Sequence, residues 1–223
     1  MRVIDQGWEF MTCPIGILQL LEAAGRTCYK SEDKITDVSA EEFVRGIIKR
    51  GHESVLEHVS VSVRIITDRG VTHELVRHRL ASYSQESTRY CNYGKNEGVV
   101  TFIRPVWVKD LSFLRILVCG PQEAIQGMPL TPDSYWVKCC SECEIQYLNL
   151  LALGWSPQQA RTVLNNSLKT EIVMTCNIRE WRHFFRLRTS KAAHPQMRDI
   201  AQSMLKEFRV RFPVVFEDVG EVE

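Results

Sequence analysis

Val59-Ser60-Val61-Ser62-Val63-Arg64-Ile65 alternates apolar and polar residues with a period of two. Successive side chains of an extended chain point to opposite faces, so this run reads as a half-buried strand, the clearest in the sequence. Segments with helical spacing stand on either side of it. Upstream, Ser39-Ala40-Glu41-Glu42 has the form of a capping box, followed by a stripe of Phe43, Val44, Ile47 and Ile48. Gly51 stands where a left-handed helix stop is expected. Further upstream, Pro14 opens a helix through Ile17, Leu18, Leu20 and Leu21 that ends near Gly25.

Downstream, Asp68-Arg69-Gly70 leads into a short helical pattern (Val71, Leu75, Val76) that runs into Arg77-His78-Arg79. Leu80 to Tyr90 is polar and aperiodic and reads as a loop; Val99 to Ile103 is a second strand, stopped by Pro105. Thr131-Pro132-Asp133 is an N-cap, a first-turn proline and a first-turn acid, predicting a long helix to about Leu153 with Gly154 ending it. Ser156-Pro157-Gln158-Gln159 opens another helix over Arg161, Val163 and Leu164, and Glu171 to Thr175 is β-prone. Asn177-Ile178-Arg179-Glu180 is a third capping box, whose helix carries Trp181, Phe184, Phe185 and Arg188. A last amphipathic helix starts near Pro195 and stops before Pro213. The fold class is therefore α+β, richer in helix than in strand. No linker or repeat divides residues 1–223, so one domain is expected.

Composition excludes several classes. Across 223 residues, 44% are apolar and 25% charged, the balance of a globular chain and not of a disordered one. Lys and Arg number 28 against 27 Asp and Glu, which disfavours a broadly basic nucleic-acid coat; anion binding must come from local clusters. No apolar run approaches the roughly 18 residues of a membrane span, and the N-terminus has no secretory pattern. Eight cysteines in that context read as reduced thiols of a cytoplasmic protein.

The densest chemistry lies in Arg77-His78-Arg79 and the hydroxyl- and amide-rich residues after it. Successive residues on a helix point about 100° apart, so these three cannot all face one small ligand. They serve two anions, two subunits, or simply a solvated helix end favoured by the dipole. Arg188 closes a stripe of large aromatics and is expected to be half buried. A guanidinium there needs an internal carboxylate, a ligand anion or carbonyl, or a snorkelling route to water. Asn177 is most simply an N-cap, although a helix start can also hold a phosphate or ring carbonyl. His52-Glu53-Ser54-Val55-Leu56 lacks the second histidine of a zincin, and the C-x-x-C of Cys140 and Cys143 has no second pair. No metal site is expected. A hydrolase using Ser87 and His78 would lack the nucleophile elbow, and no dinucleotide or phosphate-binding glycine loop occurs.

Arg77-His78-Arg79, seven residues, then Ser87 and Arg89-Tyr90 resembles the signature of the flavin-dependent thymidylate synthases, the ThyX family. Gly51-His52-Glu53-Ser54 with Glu57-His58 resembles that family's segment before the first main strand. Arg161 with Val163-Leu164, then Asn177, Arg179 and Arg188, resembles its C-terminal half. The likeness spans about residues 40 to 210 and is least diagnostic from about 95 to 130.

The resemblance implies a central, mostly antiparallel sheet flanked by long helices, in a domain that assembles as a homotetramer with active sites where subunits meet. It implies reductive methylation of dUMP to dTMP in the cytoplasm, with methylenetetrahydrofolate as carbon donor and FAD, reduced by NADPH, as hydride carrier. No nucleic acid, membrane or metal is implied. Ser54, Arg77, His78, Arg79, Gln85, Asn177, Ile178, Arg179 and His183 would contact FAD. Glu74, Leu75, Val76, Arg77, Gln85, Glu86, Ser87, Thr88, Arg89, Arg161 and Arg188 would hold dUMP. Arg188 would be catalytic, stabilising negative charge on the uracil ring. The chain departs from the family pattern at Ser84-Gln85, where many members have Asn-Glu. Other departures are Glu74, often glutamine, His183, commonly asparagine, and Ser54, often threonine.

Overall fold

The computed structural model describes residues 1–95, 98–112 and 131–220. Its strands are β1 (Arg2–Ile4), β2 (Gly7–Thr12), β3 (Ser60–Asp68), β4 (Ala81–Gln85), β5 (Thr101–Ile103) and β6 (Lys169–Asn177). Its α-helices are α1 (Ile17–Thr27), α2 (Ser39–Lys49), α3 (Arg69–Leu75) and α4 (Pro132–Ala152), followed by α5 (Pro157–Ala160), α6 (Ile178–Arg188), α7 (Pro195–Arg211) and α8 (Pro213–Phe216). The class is mixed α and β with an antiparallel sheet, as expected. Two compact units arise: Met1–Gly7 with Ile66–His73 and Gln85–Glu171, and Trp8–Ile65 with Glu74–Ser84 and the chain from Ile172 onward.

The second unit is organised by a four-stranded sheet of order β2-β3-β6-β4. The alternation read from the sequence is observed: Val59, Val61, Val63 and Ile65 are buried, whereas Ser60 is exposed and Ser62 and Arg64 are intermediate. Ile172, Met174 and Cys176 of β6 are buried with the same period. The aromatic stripe of α6 packs with α7 and α8: Trp181 lies 5.0 Å from Phe208, and Phe185 lies 5.0 Å from Phe208 and 5.8 Å from Phe216, between ring centroids. Each such ring contributes roughly 2–3 kcal/mol through burial.

In the first unit, β1 and β5 form a separate parallel pair, Val3 beside Phe102. Its core gathers Val100, Phe102, Cys140, Tyr147, Ala160 and Leu168. The N-terminal ammonium of Met1 meets Glu144 at 2.7 Å, and Glu144 also accepts the Val100 N–H at 2.8 Å.

Several local expectations are corrected. Leu80 to Tyr90 is not wholly loop, for it contains β4; this edge strand has only Ala81 and Tyr83 alternating with serines, too short a pattern to betray it. The N-terminal strands β1 and β2 went unread. Helix α1 ends near Gly25, at Thr27, but Gly25 is not its stop. It lies inside the helix because a Cβ there would sit 2.6 Å from the Phe43 ring, so the glycine admits close packing of α2. Ser39 does not cap α2: its hydroxyl accepts the Thr36 N–H at 2.9 Å and donates to Glu22 at 2.9 Å. The helix foreseen over Arg161 to Leu164 is α5 followed by one 3₁₀ turn, Arg161–Val163. By contrast, Gly51 adopts φ +72°, the left-handed stop its position implied.

Candidate active site

Helix α6 is fixed at its start. Asn177 caps it by accepting the Glu180 N–H at 2.9 Å, and the Ile178 N–H donates to Val59 at 2.9 Å. Trp181 Nε1 donates to the Val61 carbonyl at 3.1 Å, locking the helix onto β3. The third capping box is only half made. The Glu180 carboxylate does not reach back to the cap but turns to His78.

His78 is buried, its ring edge-on to Phe184 at 5.0 Å between centroids. Its Nδ1 lies 3.1 Å from Glu180 Oε1, and Arg188 Nε lies 3.0 Å from its Nε2. A guanidinium can only donate, so Nε2 holds the lone pair and Nδ1 the proton, which is donated to Glu180. Burial pulls the His78 pKa below its ordinary 6.5, and Arg188 and His183 pull the same way against Glu180. The ring is accordingly neutral at neutral pH. Arg188 also gives Nη1 to Glu74 Oε2 at 2.7 Å and Nη2 to the Glu74 carbonyl at 3.2 Å. Of its five N–H groups three are thus used, leaving two for a ligand.

The turn carrying Arg77-His78-Arg79 follows α3 and is held from below by Tyr83. The hydroxyl of Tyr83 is shared between the carbonyls of Leu75 (2.6 Å) and His78 (3.0 Å). Burial raises the Tyr83 pKa, which keeps it a donor. Beside this network opens a cavity of about 520 Å³ lined by Leu80, Asn177, Arg179, His183, Arg186 and carboxylates that include Glu180. Arg179 is held there by Glu57 at 2.6 Å. His78, Glu180 and His183 are near enough to one another to suggest a cation site. Both nitrogens of His78 are already engaged, which argues against ligation by it.

The first unit holds a second cluster. Arg161 donates to the buried Thr88 hydroxyl at 3.0 Å beside a cavity of about 220 Å³ lined also by Arg69, Asn165 and Asn166. Glu86 accepts from Tyr93 at 2.8 Å and from Lys169 at 3.0 Å. Gln85 Nε2 donates to Thr72 at 3.0 Å and lies 3.3 Å from Thr170. Ser87 Oγ accepts the Arg89 N–H at 3.3 Å, and the Arg89 guanidinium lies 5.4 Å from the Tyr90 ring centre.

The profile described as Thymidylate synthase complementing protein matches residues 15–214. The flavin-dependent thymidylate synthase of Mycobacterium tuberculosis is 38% identical over 202 residues, covering 89% of this chain and 78% of that protein. The chain belongs to the flavin-dependent thymidylate synthase family. A second member, from Mycobacterium sp. (strain JLS), is 35% identical over 225 residues, 96% of this chain and 84% of that one. The fold is likewise similar to that of thymidylate synthase X of Helicobacter pylori, solved with FAD and dUMP. The TM-score is 0.73 at 22% identity, covering 96% of this chain and 98% of that one. It is also similar to the UMP/dUMP methylase PolB of Streptomyces cacaoi, with a TM-score of 0.73 at 23% identity over 97% and 96% of the two chains.

Within this flavin-dependent thymidylate synthase fold, the residues expected to contact FAD are partly gathered. Asn177, Arg179 and His183 line the larger cavity. Ile178 is buried in the core, while Arg77, Arg79 and Ser54 are exposed. Glu74 and Arg188 are paired; Leu75 is fully buried with its carbonyl taken by the Tyr83 hydroxyl, and Val76 is exposed. Gln85 to Arg89 and Arg161 form the separate cluster above. Sequence reasoning passed over Glu180 and Tyr83. Glu180 had been given wholly to helix capping, and nothing in the local pattern pairs it with a residue 102 positions away. The C-x-x-C cysteines lie on α4 as free thiols, with burial raising Cys140 to about 12; Cys119 lies outside the described residues. Among the described residues, no helix is long and apolar enough to cross a membrane.

Proposed function

We propose that this chain makes dTMP from dUMP by reductive methylation, with methylenetetrahydrofolate as carbon donor and tetrahydrofolate as second product. Family membership supports the reading, together with the FAD and dUMP of the Helicobacter pylori relative. The observation that carries it is Arg188, a half-buried guanidinium at the end of an aromatic helix, oriented by His78 and Glu74 with two N–H groups to spare.

The residues fit a flavin. The larger cavity offers N–H donors from Arg179, Arg186 and His183 beside the start of α6, a lining suited to carbonyl and hydroxyl acceptors. Asn177, Ile178, Arg179 and His183, with Ser54, Arg77, His78, Arg79 and Gln85, are the residues assigned to FAD. When bound, FAD would supply the hydride that reduces the transferred carbon, after its own reduction by NADPH.

Glu74, Leu75, Val76, Arg77, Gln85, Glu86, Ser87, Thr88, Arg89, Arg161 and Arg188 are the residues assigned to dUMP. Arg161 and Thr88 suit phosphate oxygens, since a guanidinium fork matches them two at a time. Arg188 would lie against the uracil and hold the negative charge that develops as the ring attacks the methylene carbon. The tautomer of His78 would keep Arg188 aimed, with the ring held edge-on against Phe184. The active form would be a cytoplasmic homotetramer of one-domain chains, with separate protomers supplying site residues.

The test is spectroscopic and chemical. Purified protein should be yellow, bleach when NADPH is added without oxygen, and form dTMP from dUMP and methylenetetrahydrofolate. Colourless protein that takes up no FAD and makes no dTMP would overturn the reading.

A further inference from the structure

Glu180 lines the larger cavity but is assigned no contact in the reading above, and its capping duty is discharged by Asn177 alone. Its side chain is nevertheless only 7% exposed, a costly place for a carboxylate without a partner. The partner is the His78 Nδ1–H at 3.1 Å. Glu180 and Arg188 lie eight residues apart on one helix, about 12 Å along its axis, too far to touch each other. The imidazole of His78 spans that gap. Every donor in the chain points the same way, Arg188 Nε–H to His78 Nε2 and His78 Nδ1–H to Glu180.

We propose that Glu180 is a positioning residue for thymidylate synthesis: it fixes the tautomer of His78, and His78 thereby holds the Arg188 guanidinium in its productive orientation. The proposal rests on the functional reading that sets Arg188 against the pyrimidine. Reversing the tautomer would turn Nε2–H against Arg188 Nε–H and leave Glu180 facing a lone pair. Both contacts would become repulsive, so the arrangement has one stable direction. The ring cannot swing away cheaply, because it is buried against Phe184. Glu74 grips the same guanidinium from the other side, but its side chain is 30% exposed, four times as open as that of Glu180. The inner anchor is therefore the stiffer one. The charged and titratable groups around His78 are Glu180, His183 and Arg188 on α6, Glu74 of α3 acting through Arg188, and Tyr83 of β4 beneath its carbonyl.

The experiment compares full-length, FAD-loaded wild type with Glu180→Ala and Glu180→Gln. Glutamine retains a carbonyl that accepts from Nδ1–H, and alanine does not. Ring ¹⁵N shifts of histidine-labelled protein, assigned with His78→Asn, report the tautomer. Wild type and Glu180→Gln should show the Nδ1–H form, and Glu180→Ala a mixture. The kcat for dTMP should fall about tenfold in Glu180→Ala, the low end of what losing one hydrogen bond to a charged group costs. Because Glu180 also lines the larger cavity, the readout is the split: kcat should fall further than bound FAD per chain, and Glu180→Gln should stay within about threefold of wild type in kcat. Should Glu180→Ala be too unstable to purify, Glu180→Asp, whose carboxylate falls short of His78, carries the same expectations. An unchanged tautomer in Glu180→Ala, a kcat that falls only in step with FAD, or a glutamine variant as poor as alanine would overturn the proposal. Wild-type protein without FAD or dTMP formation would sink the functional reading and this proposal together. A failure confined to the variants would sink this proposal alone.

Discussion

Arg188 Nη1 stands 2.7 Å from Glu74 Oε2, so the guanidinium assigned to the pyrimidine is already paired with a carboxylate of its own chain. That carboxylate orients Arg188 but also cancels part of its charge and repels an incoming dianion. Glu74→Gln keeps an acceptor of the same shape and removes the charge. The KM for dUMP should fall by about threefold, the equivalent of the ~0.5–1 kcal/mol typical of a partly exposed pair. Steady-state kinetics at fixed folate and NADPH check this, and a KM that rises would show that orientation outweighs charge.

Removal of Arg188 itself should separate chemistry from cofactor binding. In Arg188→Ala, kcat should drop about 10²- to 10³-fold, the cost of deleting a donor aimed at developing charge. FAD occupancy, read from the visible band against protein absorbance, should stay within about twofold. Arg188→Lys should be nearly as poor, since one ammonium cannot serve His78, Glu74 and a ring at once. Parallel loss of FAD and turnover would recast Arg188 as a cofactor residue.

The elements legible in the sequence were those whose own residues contain the whole signal. β3 and β6 alternate, α4 and α6 have caps, and Gly51 has a backbone that glycine tolerates best. β4 was not legible because it is a short edge strand whose only apolar alternation is Ala81 and Tyr83 between serines; what holds it lies on β6. Gly25 was misread for a similar reason, because the ring that demands it is Phe43 on another helix. At the site, the local pattern announced that Arg188 would be half buried and in need of an acceptor. It left open which acceptor, and the answer, Glu74 with His78, lies more than a hundred residues away. Glu180 was hidden by a motif that explained it too readily.

Arg182 was not foreseen as a buried ion. It is fully buried and makes a two-point pair with Asp218, at 2.6 and 2.8 Å, that ties the C-terminal segment to α6. Burial pushes the Asp218 carboxyl up, yet Arg182 holds it below the ordinary carboxylate range. Asp218→Ala would leave the buried cation with only Glu53, 3.5 Å from its Nε, and the Val215 carbonyl. The cost should be about 2–3 kcal/mol, less than for a wholly buried pair because Asp218 is near half exposed. Calorimetry should show a Tm lowered by roughly 5–10 °C. The double variant Arg182→Met with Asp218→Ala should recover part of that loss, and a double variant worse than the single would refute the stranded-charge account.

The neutral state of His78 links stability to pH with a definite sign. Its folded pKa lies below the ordinary 6.5, chiefly through burial and then through Arg188. Above 6.5 the ring is neutral in both the folded and unfolded chain, and the full stability is present. Below 6.5 the unfolded chain takes up a proton that the folded one refuses, so stability falls as pH drops toward the folded pKa. His78→Asn preserves a donor for Glu180 but cannot titrate. Between pH 7.5 and 5.5 the wild-type Tm should therefore fall more than that of His78→Asn, the difference isolating this residue from the other five histidines. Equal slopes, or a wild type that gains stability on acidification, would mean that His78 is charged in the folded protein. Arg188 Nε–H would then face a ring N–H and not a lone pair.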